Sequence, residues 1–302
     1  MSIFKFLIFS LFTLITTTTT ASQYYISACA IFQNEADYLK EWIEYHRIIG
    51  VEHFYLYNNE SNDNYSEVLL PYITEGIVEL RDWPKAPGEG IDHVPAQRRA
   101  YNHCIKLTSG VTNWLAIIDI DEFIVPVDRP DLVSFLADYE TDPKIGGIKI
   151  NWQLFGTSNH KTLPQDRPMI ESFILKAPWD YKTNLKNPPH NGVIKTIVRP
   201  HAVERFHTHD GIYKRGFYAV PNNRRGQYMD PFQIDRIRIN HYWTRAEDWF
   251  YETKFLRRRF VIKDHLAELS YLKQKFDDLN QVEDTVIFKY LPQLRERLGY
   301  DN

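Results

Sequence analysis

Cysteine is nearly absent from this chain of 302 residues, in which only Cys29 and Cys104 occur. Both fall in segments whose pattern predicts a core helix or strand. The sequence therefore argues against a disulfide framework, and it contains no cysteine-rich zinc pattern. Two glycine motifs are also missing, because neither Gly-x-Gly-x-x-Gly nor Gly-x-x-x-x-Gly-Lys occurs. The sequence thus signals neither a dinucleotide-binding fingerprint nor a P-loop.

A strong charge of either sign is lacking too, since the formal net charge is −3 at pH 7. That balance argues against a nucleic-acid-binding protein. The chain is rich instead in apolar and aromatic side chains, at 43% and 15% of its residues. The aromatic content suits a sugar-handling surface and an ordinary packed core equally well. The length suits one large domain or two small ones.

The N-terminal segment predicts a targeting signal rather than a part of the fold. Met1–Lys5 carries one positive charge, Phe6–Ile15 is mostly apolar, and five threonines follow. An apolar core of about ten residues is short for a membrane span. We expect a secretory signal peptide cut near Ala21–Gln23, with an uncleaved membrane anchor as the main alternative. Residues 1–22 are assigned to this segment and residues 23–302 to a single domain.

Beyond residue 23, predicted strands and helices alternate along the chain. Strands are predicted at Tyr25–Phe32, His53–Tyr57 and Ile77–Trp83, and a fourth begins at Trp114. The helices between them are predicted at Glu35–Ile49, Tyr65–Tyr72 and Ala96–Leu107. Repeated strand–helix units specify an α/β fold with a doubly wound, mostly parallel, Rossmann-like sheet. Such a sheet binds its ligands at the carboxyl ends of the strands.

The most informative segment is the fourth predicted strand, where the apolar run Trp114–Ile118 ends in Asp119, Asp121 and Glu122. These carboxylates would stand at the edge of the sheet. In an extended strand, alternation places Asp119 and Asp121 on the same side, about 7 Å apart. Two carboxylates at that spacing suit Mn²⁺ or Mg²⁺ shared with a diphosphate. The alternative is a solvated strand end or a helix cap.

Two further pairs of residues lie where a nucleotide would bind. Asn34 and Glu35 follow the first strand, and we expect them to contact the base or the ribose, or else to cap a helix. Gln97 and Arg98 lie in the first turn of a helix, where backbone N–H groups and a cation favour a phosphate. For Arg98 the alternative is a solvated surface position.

Several segments occur together in a recognisable order. They are Asn34-Glu35-x-x-Tyr38-Leu39-x-Glu41-Trp42-x-x-Tyr45-His46, Gly50-Val51-x-His53-Phe54-x-Leu56-Tyr57-x-Asn59, Gln97, Tyr101-Asn102-His103-Cys104, Asp119-x-Asp121-Glu122-Phe123, Trp152-x-x-Phe155-Gly156, Lys195-x-Ile197-Val198-Arg199-Pro200 and Asn240-His241-Tyr242. This order resembles glycosyltransferase family 92 over roughly residues 25–260. One departure is visible, because Thr244-Arg245 stands where the family tends to show a Lys-Ser pair.

The resemblance implies a metal-dependent transferase with the nucleotide-sugar transferase fold of the GT-A type. It implies a Mn²⁺ or Mg²⁺ cofactor, a UDP-sugar donor and a glycan or other hydroxyl acceptor. Many members of the family transfer galactose with inversion. It also favours a uridine-contacting role for Asn59 and Asp63, which otherwise read as residues of a polar turn.

The general base and the third metal ligand are predicted with alternatives. Glu171 is expected to open a helix on the acceptor side and to take the proton of the acceptor hydroxyl. Its competitors are Asp166, Asp180 and Asp210, and its alternative is a first-turn acid stabilised by the helix dipole. Trp152, Phe155 and Trp179 are either a stacking platform for an acceptor sugar or core residues.

His241 ends an alternating apolar run, and we expect it to complete the metal site with Asp119 and Asp121. That role requires the segment after residue 235 to fold back towards the acidic residues. His207 and His209 are the alternative ligands. Lys254 and Arg257–Arg259 predict either a solvated helix face or a site that neutralises phosphates or an anionic membrane.

The sequence as a whole predicts a metal-dependent glycosyltransferase. A metal-dependent hydrolase and a non-catalytic carbohydrate-binding protein are the alternatives. The N-terminal segment predicts either a secretory-lumen enzyme or a membrane-associated one, which would face the cytoplasm in a bacterium.

Overall fold

The computed structural model describes residues 22–88, 94–181, 191–221, 226, 232–255 and 265–300. The strands are β1 (Tyr24–Phe32), β2 (His53–Asn58), β3 (Val78–Asp82), β4 (Thr112–Ile117), β5 (Glu122–Pro126), β6 (Ile145–Leu154), β7 (Leu175–Lys176), β8 (Ile194–Val198), β9 (Val203–Phe206), β10 (Gly211–Tyr213), β11 (Tyr218–Val220), β12 (Ile237–His241) and β13 (Val282–Glu283). The α-helices are α1 (Ala36–Ile48), α2 (Tyr65–Thr74), α3 (Val94–Thr108), α4 (Leu132–Ala137), α5 (Met169–Ser172), α6 (Glu247–Trp249), α7 (His265–Leu279) and α8 (Leu291–Leu298). A π-helical turn at Phe250–Phe255 continues α6, and short 3-10 turns occur at Pro200–Ala202 and Val286–Tyr290.

In the described part of the chain, nine strands form one mixed sheet. Their order is β3-β2-β1-β4-β8-β6-β12-β5, and β11 also pairs with β6. β1 to β4 run parallel to one another. β8 runs antiparallel between β4 and β6, while β12 is parallel to β6 and antiparallel to β5. The prediction of an α/β fold with a mostly parallel sheet is confirmed.

Helices cover both faces of this sheet. Trp42 and Ile43 of α1 belong to one core cluster, whereas Tyr101 and Cys104 of α3 belong to a second cluster. Successive residues of β1 alternate between the two clusters, which is the side-chain period of a strand. The doubly wound arrangement is thereby confirmed. Both cysteines are buried and free, as predicted.

The end of α1 shows why the first strand–helix unit ends where it does. Gly50 follows the helix with φ +105, a backbone conformation that favours glycine. A Cβ atom at that position would lie 2.6 Å from Cγ2 of Val133, so the chain passes too close to α4 for a side chain. The predicted helix end at Gly50 therefore has a packing reason as well as a conformational one.

One local prediction is wrong. β4 ends at Ile117, and Asp119 and Asp121 do not alternate along an extended strand. The chain turns at Ile120 and Asp121 and returns as β5, which starts at Glu122. An apolar run followed by acidic residues does not by itself distinguish a continuing strand from a turn, because the turn is held by tertiary hydrogen bonds described below.

No helix within the described residues is both long enough and apolar enough to cross a membrane. Residues 1–21, which hold the predicted signal peptide or anchor, lie outside the described residues.

Candidate functional site

The acidic residues form a tight turn between β4 and β5. The N–H of Glu122 donates to the carbonyl of Asp119 at 3.1 Å, and the N–H of Asp119 donates to Oε2 of Glu122 at 2.9 Å. Nε1 of Trp42 donates to the carbonyls of both residues, at 3.1 and 2.9 Å. These bonds satisfy the backbone of the turn and hold its carboxylates in fixed directions.

β12 brings His241 to this turn. His241 pairs with Glu122 in the antiparallel register, and the N–H of Tyr242 donates to the carbonyl of Asp121 at 2.8 Å. Nε2 of His241 lies 3.4 Å from Oδ2 of Asp121. The segment after residue 235 thus folds back to the acidic residues, as the ligand role of His241 requires. Trp152 packs on the imidazole with ring centroids 4.2 Å apart and fixes its orientation.

Asp121, Glu122 and His241 together fit a divalent cation. Their ligand atoms all lie within 4.8 Å of one another. Oε1 of Glu122 is buried without a hydrogen-bond partner among the described residues, and its nearest cation is Nζ of Lys195 at 3.7 Å. Such an atom is rare in folded proteins, and a metal cation would satisfy it. Nε2 of His241 is the imidazole nitrogen that faces Asp121. Carboxylate oxygens combined with one imidazole nitrogen suit Mn²⁺ well.

Asp119 is held by protein groups on both of its oxygens. Oδ1 accepts hydrogen bonds from Gln97 Nε2 at 2.9 Å and from the Tyr101 hydroxyl at 2.6 Å. Oδ2 lies 2.8 Å from Nζ of Lys195, a residue of β8 that is fully buried. Burial opposes ionisation, but the ammonium of Lys195 outweighs it and lowers the pKa of Asp119. Asp119 is thus a firmly anchored carboxylate, and its ligand role stays a prediction.

The remaining acids of the turn have opposite electrostatic environments. Asp121 is mostly buried, yet the nearby Lys254 and His241 hold its pKa well below the usual range. Glu122 is fully buried, and this burial holds its pKa well above the usual range. Burial also lowers the pKa of His241. A neutral imidazole beside an ionised Asp121 is the protonation state that binds a metal.

Two cations lie beside the turn on the segment after β12. Nζ of Lys254 is 2.6 Å from Oδ2 of Asp121. Arg245 is fully buried, with its guanidinium 3.6 Å from the ring centre of Tyr38 and 4.3 Å from that of Trp249, and it forms an ion pair with Glu35. Its Nε and Nη2 have no hydrogen-bond partner within the described residues. The arrangement can hold an anion, because a guanidinium offers donors in a planar fork.

The residues predicted to contact the nucleotide lie together at the ends of β1 and β2. The Asn34 Oδ1 accepts from the N–H of Asn62 at 2.9 Å, and the Asp63 Oδ2 accepts from the N–H of Ala36 at 2.8 Å. Asp63, rather than Asn34 or Glu35, therefore caps α1 with its side chain. Oδ1 of Asp63 is buried without a partner among the described residues. The buried Asn59 donates to the carbonyl of Trp83 at 2.8 Å.

The two residues predicted to bind phosphate, Gln97 and Arg98, both lie on α3, but their side chains have different neighbours. Gln97 points to Asp119, as described above, whereas Arg98 is exposed and lines a cavity of about 410 Å³. His207 and His209 line the same cavity. Neither histidine belongs to the group of Asp121, Glu122 and His241. The structure therefore brings His241, rather than these alternatives, to the acidic turn.

Glu171 lies in α5, as predicted, and its Oε2 is 2.7 Å from Nη1 of Arg295 in α8. The role of Glu171 as the base stays a prediction. Of the proposed platform, Phe155 is fully buried and Trp152 nearly so, and therefore both are core residues. Trp179 is 63% exposed, and Asp166 forms an exposed ion pair with Arg167.

Three residues of the site were not predicted as such: Glu122, Lys195 and Arg245. A signal existed for two of them. Glu122 is part of the acidic motif, and Lys195 is a lone cation in the apolar run Ile194–Val198, where only a buried partner can compensate its charge. Arg245 has no comparable signal, because Tyr38 and its ion-pair partner Glu35 are distant from it in sequence.

Comparison with known proteins shows the family of this chain. The chain matches the sequence profile of glycosyltransferase family 92 over residues 22–290, and it belongs to that family. It is 28% identical to a glycosyltransferase family 92 protein of Oryza sativa subsp. japonica over 193 residues, which cover 61% of this chain and 30% of the relative. It is 25% identical to one of Arabidopsis thaliana, covering 69% of this chain and 36% of the relative. The chain thus spans about a third of the length of these relatives.

Two solved structures overlap parts of the chain. One is Staphylococcus aureus TarS (residues 1–349) in complex with UDP, with a TM-score of 0.35 and 11% identity over 58% of this chain and 47% of that chain. The other is glucosyl-3-phosphoglycerate synthase from Mycobacterium tuberculosis in complex with Mn²⁺, UDP and glucosyl-3-phosphoglycerate. Its TM-score is 0.30, with 16% identity over 43% of this chain and 44% of that chain.

Proposed function

We propose that this family member is a metal-dependent transferase that moves a hexose, galactose being the first candidate, from a UDP-sugar to a hydroxyl group of a glycan acceptor with inversion. The observation that carries the proposal is the group of Asp121, Glu122 and His241, whose ligand atoms lie within 4.8 Å of one another and include a buried oxygen of Glu122 without a hydrogen-bond partner in the described residues. A glycosyltransferase that holds Mn²⁺ or Mg²⁺ needs such a group at the strand ends, where nucleotides bind.

The residues around the acidic turn and those at the ends of β1 and β2 would have different binding roles. Asp121 and His241 would hold the cation, with Glu122 behind them and Asp119 oriented by Gln97, Tyr101 and Lys195. The cation, when bound, neutralises the diphosphate and makes it a better leaving group. Asn34, Glu35, Asn59 and Asp63 lie at the ends of the strands on the other side and would position the uridine.

Arg245 and Lys254 would supply positive charge for the diphosphate. Both lie beside Asp121 or Glu35 and are enclosed by aromatic rings, which exclude water and strengthen electrostatic interactions. Arg98 at α3 is a third candidate for a phosphate, because it is exposed near the N-terminus of that helix. Each of these roles follows from charge and position, not from a bound ligand.

The test is metal-dependent binding of UDP, measured by calorimetry with and without Mn²⁺. Asp121→Asn should weaken UDP binding in Mn²⁺ by more than the about 10–100-fold that outer-shell partners contribute to metal sites. Asp277→Asn, on the exposed face of α7, is the matched control and should bind as the unaltered protein does. Turnover of UDP-galactose that persists in EDTA would contradict metal dependence, and a screen of UDP-sugars identifies the sugar.

A metal-dependent hydrolase would use the same ligand group. The two functions differ in products, because a transferase releases UDP mainly when an acceptor hydroxyl is present, whereas a hydrolase needs water alone. A carbohydrate-binding protein would release no UDP under either condition. Quantifying UDP release with and without a panel of methyl glycosides separates the three.

We further propose that residues 1–22 direct the enzyme to a secretory lumen or attach it to a membrane. In a bacterium the attached enzyme would face the cytoplasm, where nucleotide-sugars are made. Expression with a fluorescent C-terminal fusion, followed by cell fractionation of the full chain and of a variant lacking residues 1–21, tests this. Equal fractionation of the two proteins would contradict a targeting role.

A further inference from the structure

Apart from Arg98, the proposed function leaves unused a cavity that lies next to α3. It has a volume of about 410 Å³ and is lined by Arg98, by residues 207–212 after β9 and at the start of β10, and by Gly226. That volume is within the usual range of small-molecule sites, about 300–1,000 Å³. Its lining offers hydroxyl, imidazole, guanidinium and carboxylate groups, which suit a ligand rich in hydroxyls.

This cavity adjoins the metal ligands through two elements. On α3, Arg98 follows Gln97, whose side chain donates to Asp119 at 2.9 Å. On the opposite wall, the ring of His209 packs against Trp152 with centroids 5.3 Å apart, and Trp152 packs in turn against His241. The side chain of Asn102 links α3 to the end of β9, because it donates to the carbonyl of Phe206 at 2.7 Å and accepts from the N–H of Phe206 at 2.8 Å.

The hydrogen bonding of His209 determines which of its ring nitrogens is basic. Nδ1 lies 2.9 Å from the carbonyl oxygen of Ile194, and because a carbonyl only accepts, Nδ1 must carry the proton. Burial lowers the pKa of His209 to about 4, so the ring is neutral at neutral pH. Nε2 therefore keeps its lone pair, and it has no hydrogen-bond partner in the described part of the chain.

The floor of the cavity is fixed independently of this histidine. Asp210 is buried, and its Oδ2 lies 3.1 Å from the ammonium of the buried Lys149. Its Oδ1 accepts from the N–H of Gly211 at 2.8 Å. Burial raises the pKa of Asp210, but the ammonium of Lys149 and the N–H of Gly211 occupy its two oxygens. Nε2 of His209 has no such partner among the described residues and is therefore the better placed proton acceptor in the cavity wall.

We infer that the cavity is the acceptor site and that His209 is the general base of transfer. The inference rests on the proposed function. A sugar hydroxyl in the cavity gives its proton to Nε2 as its oxygen forms a bond to the anomeric carbon of the donor. The bond from that carbon to the phosphate oxygen breaks, and its electron pair leaves with UDP. The proton then passes from Nε2 to solvent.

His209→Asn is the direct test, because asparagine keeps a donor near Ile194 but has no basic nitrogen. With UDP-galactose and Mn²⁺ as donor and the most active methyl glycoside of a panel as acceptor, we expect kcat to fall about 10²–10⁴-fold. The dissociation constant of UDP in Mn²⁺ should change less than about twofold, since the residue does not touch the donor. His209→Gln repeats the test if the first variant folds poorly by circular dichroism.

Azide provides a readout that a merely structural role of His209 would not move. It is an anion and needs no base to attack the anomeric carbon. We expect it to restore release of UDP from UDP-galactose by His209→Asn, with a glycosyl azide as product. His201→Asn is the matched control, because that histidine is exposed on the 3-10 turn after β8, and it should retain the activity of the unaltered protein.

Blocking the cavity tests the acceptor site separately. Thr208→Trp should raise the KM for the methyl glycoside at least about tenfold and leave the affinity for UDP unchanged. An unchanged KM in a folded variant contradicts the acceptor site. Transfer by His209→Asn within about fivefold of the unaltered protein, or a parallel loss of UDP binding, contradicts the base role. If the unaltered protein shows neither metal-dependent UDP binding nor turnover, the proposed function itself fails, and the inference fails with it.

Discussion

Nζ of Lys254 lies 2.6 Å from Oδ2 of Asp121, the same oxygen that faces Nε2 of His241 at 3.4 Å. The ammonium therefore occupies a position next to the ligand atoms that would hold the cation. Its own pKa is lowered by burial, against the attraction of Asp121. A divalent ion and this ammonium repel each other at such a distance, so they compete for Asp121 unless a diphosphate lies between them.

Lys254→Gln should therefore have opposite effects on the metal and on the nucleotide. Without nucleotide, the affinity for Mn²⁺ should rise about tenfold, which corresponds to about 1.4 kcal/mol. In saturating Mn²⁺, the affinity for UDP should fall, because one cation beside the diphosphate is lost. Calorimetric titrations measure both, with Lys144→Gln on an exposed turn as the control. An unchanged affinity for Mn²⁺ would show that displacing the Lys254 ammonium from Asp121 costs no measurable free energy.

Arg245 allows stability and ligand binding to be separated. Arg245→Met keeps apolar volume between Tyr38 and Trp249 but leaves Glu35 without its ion-pair partner, and we expect it to unfold more easily by about 3–5 kcal/mol. Adding Glu35→Gln should recover most of that stability but not the affinity for UDP. Denaturant unfolding and calorimetry on the single and double variants test this. Recovery of UDP binding in the double variant would show that Arg245 only neutralises Glu35.

Glu41 should make the stability depend on pH. Burial raises its pKa to about 7, even though it accepts hydrogen bonds from the N–H groups of Met169 and Ile170. A raised folded-state pKa means that its stabilisation is complete below about pH 4.5 and is lost as the pH rises through 7. Between pH 5 and 8 the unaltered protein should lose up to about 3 kcal/mol more stability than Glu41→Gln does.

Denaturant unfolding at the two pH values measures this difference. Glu75→Gln, at the exposed end of α2, is the matched control and should follow the unaltered protein. Identical pH profiles for Glu41→Gln and the unaltered protein would show that Glu41 is ionised in the folded state, held by its two backbone donors.

Glu171 and His209 are rival bases, and their variants discriminate between them. If Glu171 only pairs with Arg295, Glu171→Gln should lower the stability by at most about 1 kcal/mol, as partly exposed ion pairs do, and should leave kcat within about twofold. Arg295→Gln should have the same effect, because it breaks the same pair. A kcat that collapses for Glu171→Gln alone, with UDP binding intact, would instead assign the base to Glu171.

The first half of the fold could be read from the sequence with small errors. The predicted strand Tyr25–Phe32 is observed as Tyr24–Phe32, and the predicted helix Ala96–Leu107 as Val94–Thr108. Periodic apolar residues and the glycine after α1 are local signals, and these elements follow one another as simple strand–helix units. The insertion of the antiparallel β8 between β4 and β6 has no such local signal, because it depends on pairing between distant segments.

The candidate site also combines features that the sequence determines with features that only the tertiary structure decides. The acidic motif, the strand ends that carry it and the participation of His241 followed from residue types and from the order of elements, which the sequence alone determines. Only the tertiary structure decided that Asp119 and Asp121 lie in a turn, that Lys195 and Lys254 each contact one of them, and that His209 has one ring nitrogen bound and the other available. The physical reason is that charge pairing and hydrogen bonding act over a few ångströms of space, between residues as far apart in the chain as Asp121 and Lys254.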